Sequence, residues 1–244
     1  VSATAMRSAA EVTISYGPTA GRTGVAKRRE QLQEQYHFLC CCSAYEDETP
    51  FDVDDNSIPD AALDAALGLL DEGRAQEAIR TLRQCCKHQM SLLEAHDADG
   101  DTRRAAIVAQ RAAEVFDALG RAYCQTTPDP DYCAAGDAIE QALSLLRRST
   151  TVVAPGAEPS LAREEHKLAT LRFHAAVQAG PGSRGEAAVA AAGQAARRAL
   201  LCVREALGDD DPAVGELVQM VAALGGANRQ QKQEESAQPK QQQQ

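Results

Sequence analysis

Phe116-Asp117-Ala118-Leu119-Gly120-Arg121-Ala122-Tyr123 decides how this chain is read. Three large side chains, Phe116, Leu119 and Tyr123, recur at i, i+3 and i+7, so they share one face of a helix. Gly120 sits among them, where the missing Cβ lets a partner helix come close. Past an insertion rich in Pro and Asp (Pro128 to Asp131), the stretch Gly136-Asp137-Ala138-Ile139-Glu140-Gln141-Ala142-Leu143 supplies that partner. Gly73 to Leu82, with Glu77-Ala78-Ile79, repeats the theme. Helices of this kind bury their apolar faces only against one another.

The octet resembles the first-helix half of a tetratricopeptide repeat, W-x-x-L-G-x-x-Y, with Phe116 in place of Trp, and Gly136 to Leu143 resembles the second half. The expected fold class is therefore mainly α, with a tetratricopeptide-like antiparallel helical repeat domain over residues 57–224. Outward from the octet the helices follow by periodicity and punctuation. Ser57 is an N-cap with Pro59 in the first turn, and the helix runs to about Glu72, where Gly73 stops it. The next spans about Ala75 to His96, and the octet's own helix about Thr102 to Gln125. Another covers about Ser160 to Ala179, with Leu161, Leu168, Leu171 and Val177 as expected core. An alanine-rich helix runs from about Arg184 to Leu207, and Gly208-Asp209-Asp210-Asp211-Pro212 turns into a last one ending near Leu224. From residue 225 to 244 the chain is Gln-rich and lacks the apolar groups of a core, so it is expected to be disordered.

Composition agrees. Alanine is abundant, aromatic residues make up 4% of the 244 residues, and the net charge is −10. That charge is concentrated, since residues 46–101 carry −11 on their own. Such a surface disfavours direct contact with nucleic-acid phosphates, which requires clustered Lys and Arg. It could attract a basic protein segment such as a histone-like tail, or serve only as a solvated face. No apolar run approaches the length of a membrane span. Eight cysteines, three of them consecutive, do not form a disulfide framework, and reduced thiols in the cytosol or nucleus are expected.

Few side chains are spaced for chemistry within the helices. Asp97, Asp99 and Asp101 alternate like the start of a calcium loop, but Thr102 and Val108 stand where such a loop needs Gly and Glu, so a helix-capping turn is expected. His88, His96, His166 and His174 show no metal spacing. Cys85, Cys86, Cys124, Cys133 and Cys202 read as small core residues. Glu164-Glu165 reads as a charge run favouring a helix start.

A second resemblance lies near the start. Val12, Ile14 and Tyr16 alternate as a strand, and Gly17-Pro18 ends it. A helix with Arg28, Leu32 and Tyr36 follows, then Phe38, Cys40, Cys42 and Tyr45. This order is similar to the end of a SET domain and its post-SET segment in the SET-and-MYND-domain (SMYD) protein-lysine methyltransferases, in the branch that carries tetratricopeptide-like helices. Lys167-Leu168-Ala169, the long helix after it and the acidic turn with Pro212 resemble the C-terminal region of that branch. The resemblance implies four parts: residues 1–18 as the last SET strand region, 19–48 as helix and post-SET segment, 57–224 as the helical domain, and 225–244 as a tail. It implies methyl transfer from S-adenosylmethionine to a protein lysine, with the helical domain binding substrate or partner. Tyr16 would border the channel where amine and methyl group align, and Phe38 would pack on the adenine. Cys40 and Cys42 would be zinc ligands. Tyr45 stands at the third ligand position and is a poor structural zinc ligand. The alternative, from a different class, is a non-catalytic helical-repeat module for protein–protein interaction.

The chain starts at Val1, within what reads as a SET domain, and is expected to be the C-terminal portion of a longer enzyme. Two outcomes follow. Incubated with labelled S-adenosylmethionine and a lysine-bearing protein, this chain alone should show no transfer above blank, because alignment of amine and methyl dominates such a reaction. Transfer that vanishes in Tyr16→Phe would contradict this. Elemental analysis should find less than one zinc per chain.

Overall fold

The computed structural model describes residues 25–37, 60–150, 158–180 and 182–237. Eight helices run through them: α1 (Val25–Tyr36), α2 (Asp60–Asp71), α3 (Ala75–Ala98), α4 (Thr102–Cys124), α5 (Tyr132–Thr150), α6 (Glu158–Ala179), α7 (Ser183–Leu207) and α8 (Pro212–Ala237). There is no strand among the described residues. The strand expected at Val12 to Tyr16 and the segment 38–48 lie outside them. The helix expected between them is present as α1, with Leu32 buried.

Local signals set the helix ends. Gly73 closes α2 at φ +75°, a conformation that side chains resist. Gly73 N–H then reaches Leu70 O at 3.0 Å and Arg74 N–H reaches Leu69 O at 2.8 Å, a Schellman ending. Aspartates open three helices. Asp101 accepts from Arg104 N–H and Asp131 from Ala134 N–H, both at 2.9 Å, and Asp211 accepts from Ala213 N–H at 3.0 Å beside Pro212. The Asp97–Asp101 turn is thus a capping turn, with Asp97 drawn to Arg148. The last helix departs from expectation, since α8 continues through the stretch expected to be disordered, to Ala237. Gln, Glu, Lys and Ala are good helix formers, and a helix already nucleated needs no apolar face to continue.

Each helix from α2 onward packs on its successor. Turns such as 72–74 and 99–101 are short enough to make neighbours antiparallel. The even-numbered helices follow one another along one side, and α3, α5 and α7 sit between them. A first core joins α2 to α6 through Leu82, Leu119, Ile139, Leu143 and Leu168. A second joins α6, α7 and α8 through Ala162, Ala169, Ala192, Ala196, Val203 and Leu217. Its small alanines let α6 and α7 lie close along their length. Gly120 plays the part expected of it: a Cβ there would fall 2.9 Å from Ile139 Cδ1 on α5.

Two residues of α6 differ from their sequence reading. Val177 is 67% exposed, not core, because Ala176 takes the buried position and the next residue is turned about 100° away. Glu165 is not a partner for the helix dipole. It is 1% exposed in the body of α6, where Arg147 of α5 donates to its Oε1 and Arg198 Nε of α7 donates to its Oε2 at 2.8 Å. A buried carboxylate costs several kcal/mol unless it is paired, so these three helices must keep their register.

Removing both arginines (Arg147→Ala with Arg198→Ala) should destabilise the fold by about 3–5 kcal/mol, because the carboxylate stays buried without compensation. Glu165→Gln should cost less, about 1.5–3 kcal/mol, since the arginines can turn to water. Denaturant melts in which the double arginine variant is the more stable of the two would contradict this assignment. Val177→Ala should stay within about 0.5 kcal/mol of the parent.

Candidate functional site

Along one layer α4 and α6 meet through their side chains. Residues of the α4–α5 connection brace this joint. Asp131 N–H reaches back to Tyr123 O at 3.1 Å, Thr126 Oγ1 donates to Tyr123 O at 2.9 Å, and Gln178 of α6 donates to Pro130 O at 3.0 Å. Between the two helices lies an open cavity of about 210 Å³. Gly120, Cys124, Ile139 and Leu171 form its apolar floor, and Arg121, Gln125 and Lys167 stand at its rim.

An ion network bridges the cavity's upper end. Lys167 Nζ donates to Asp117 Oδ1 at 2.5 Å and to both oxygens of Glu164 at 2.8 Å. Arg121 Nε lies 3.4 Å from the other oxygen of Asp117. Burial works against the Lys167 ammonium, but its hydrogen bonds to Asp117 and Glu164 outweigh it and hold the pKa above the ordinary lysine value. Lys167 is therefore a fixed cation. The residues of the octet divide between two roles. Leu119 lies in the core, Phe116 packs against it, and buried Tyr123 accepts at 2.9 Å from Arg83 Nε through its hydroxyl. Asp117, Gly120 and Arg121 face the gap.

Tyr16, Phe38, Cys40, Cys42 and Tyr45 lie outside the described residues. Among the described residues no three His, Cys, Asp or Glu side chains converge as a metal-ligand group. Cys85 and Cys86 are core residues as expected, and Cys124 and Cys202 are half-buried. Cys133 is exposed instead, on the outer side of the first turn of α5. Burial raises the Cys85 thiol, and burial followed by the nearness of Cys85 pushes Cys86 up to about 12. Cys124 is also raised by burial, partly offset by the positive charge of Lys167. Thiols of this kind are poor nucleophiles at neutral pH. The cavity and its network escaped the sequence reading. Asp117 and Arg121 are a visible i, i+4 pair, and Glu164 and Lys167 an i, i+3 pair, but nothing local shows that the two pairs meet.

These features define a tetratricopeptide-like helical repeat fold with a cleft between successive helices of the same layer. No family model matches the chain, and no curated protein matches it. Among the solved structures similar to it are two helical repeat proteins. A de novo designed helical repeat protein shares 19% identity, with 73% of this chain and 84% of that one covered and a TM-score of 0.37. A variant of a Podosopora anserina kinesin light chain with nearly identical TPR-like repeats shares 16% identity, with 72% and 89% covered and a TM-score of 0.31.

The thiols give a check on this placement. Under iodoacetamide at neutral pH, site-resolved mass spectrometry should find Cys133 modified well before Cys86, which should react only when the fold opens. Cys86 reacting as fast as Cys133 would mean that α3 does not bury it.

Proposed function

We propose that this chain is a helical-repeat module that binds a linear segment of a partner protein across the α4–α6 cleft. One observation supports the reading above others: a recess with an apolar floor lies open on a rigid helical layer, between two helices locked in position by Lys167 and Gln178. Covering its apolar lining with a side chain is favourable through the hydrophobic effect. At about 210 Å³ it takes a side chain rather than a whole cofactor, since ligand pockets run to roughly 300–1,000 Å³.

A second reading keeps the methyltransferase. It rests on the order of Tyr16, the Arg28-Leu32-Tyr36 helix, Phe38, Cys40 and Cys42. In it, the helical domain serves a SMYD-like enzyme by holding a protein substrate, and the acidic stretch 46–101 attracts a basic, histone-like segment in cytosol or nucleus. S-Adenosylmethionine would supply the methyl group, Tyr16 would line the lysine channel, and zinc would fall to Cys40 and Cys42. Labelled methyl transfer by the longer enzyme, lost on Tyr16→Phe, would support it.

The module reading predicts that filling the recess abolishes binding. Peptides selected from a displayed library on the parent chain should lose at least about tenfold in affinity, or about 1.4 kcal/mol, for Cys124→Trp. The variant's helical circular dichroism should be unchanged. Undiminished binding to a folded Cys124→Trp would place the partner site elsewhere.

A further inference from the structure

We infer that the α4–α6 cavity recognises a two-part feature of a partner segment: one large apolar side chain and, within a residue or two of it, an Asp or Glu carboxylate. This rests on the protein-binding reading of the cleft and adds the partner's chemistry to it. The apolar half follows from the floor. Gly120, Cys124, Ile139 and Leu171 line it with carbon and sulfur.

The acidic half follows from what the rim has already used. Both oxygens of Glu164 accept from Lys167, one oxygen of Asp117 does too, and its other oxygen faces Arg121 Nε. The rim carboxylates are thus engaged. The two terminal nitrogens of Arg121 have no partner among the described residues, and the Arg121 side chain is 54% exposed. A guanidinium edge with two parallel N–H donors matches a carboxylate bidentately. Lys167, neutralised by two carboxylates, fixes Asp117 and through it the orientation of Arg121. One free guanidinium edge suits one negative charge. A doubly charged phosphate would leave excess charge against Asp117 and Glu164. A basic flank would face the Arg121 guanidinium and be repelled at that edge. The chain's net charge of −10 does not steer an acidic segment from a distance, so this recognition is short-range.

Fluorescence polarisation with four short labelled peptides tests this on the full chain. They are identical except for a central Leu-Asp-Asp, Leu-Asn-Asn, Leu-Lys-Lys or Ala-Asp-Asp. The Leu-Asp-Asp probe should bind at least about tenfold tighter than each of the others, and Arg121→Glu, a surface change, should remove that preference and favour Leu-Lys-Lys. Circular dichroism of Arg121→Glu should match the parent. If the three Leu probes bind equally and all are lost in Cys124→Trp, the inference is overturned while the module reading stands. If Leu-Lys-Lys binds best, or Ala-Asp-Asp binds as well as Leu-Asp-Asp, the inference is also overturned. If no probe binds, or binding survives in folded Cys124→Trp, the inference and the assignment of the cleft fall together.

Discussion

One buried carboxylate ties three helices of the fold together. Glu165 sits in the interior of α6 with a guanidinium on either side, one from α5 and one from α7. Apolar contacts between helices tolerate sliding, because one alanine or leucine can replace another at similar contact. A buried charge does not. It holds each neighbour to the one register in which a guanidinium reaches it. The alanine-rich surface between α6 and α7 has little shape of its own, so this anchoring decides where α7, and behind it α8, can sit. The cleft inherits that precision, since α4, α5 and α6 all contribute to its lining.

Much of this architecture was legible in the residues. Gly73 marks a helix end because only glycine is comfortable at its φ of +75°. Gly120 marks a close helix pair because a Cβ would press on Ile139. Both act within a turn or against a periodic partner, so pattern reveals them. Glu165 was not legible. Beside Glu164 it looks like any solvated charge run, and its partners lie 18 and 33 residues away. Single positions on a helix face diverge by about 100°, so Glu164 reaches the cleft while Glu165 enters the core, and Val177 leaves a core that Ala176 keeps. The tail failed for a different reason, since composition shows that a stretch has no core to join but not that a neighbouring helix will end. The cavity was hidden because it arises from spacing between two helices, which no single stretch encodes.

Two pairs of acid and base residues meet between α4 and α6, where Lys167 joins Asp117 to Glu164 and the Arg121 side chain stays half exposed.

α6 contributes Leu168 and Leu171 to one core and Ala162, Ala169 and Ala176 to the other. In a linear array of repeats, each unit leans only on its neighbours, and stability is a sum of local terms. α3, α4 and α5 are shared in the same way, between the first core and a third that holds Leu93, Ala109 and Leu145. Loosening one such helix would remove an interface from both sides at once, so the array should melt across its middle in a single step instead of fraying inward from its ends. Growth or loss of repeats over evolutionary time would then be confined to the flanks.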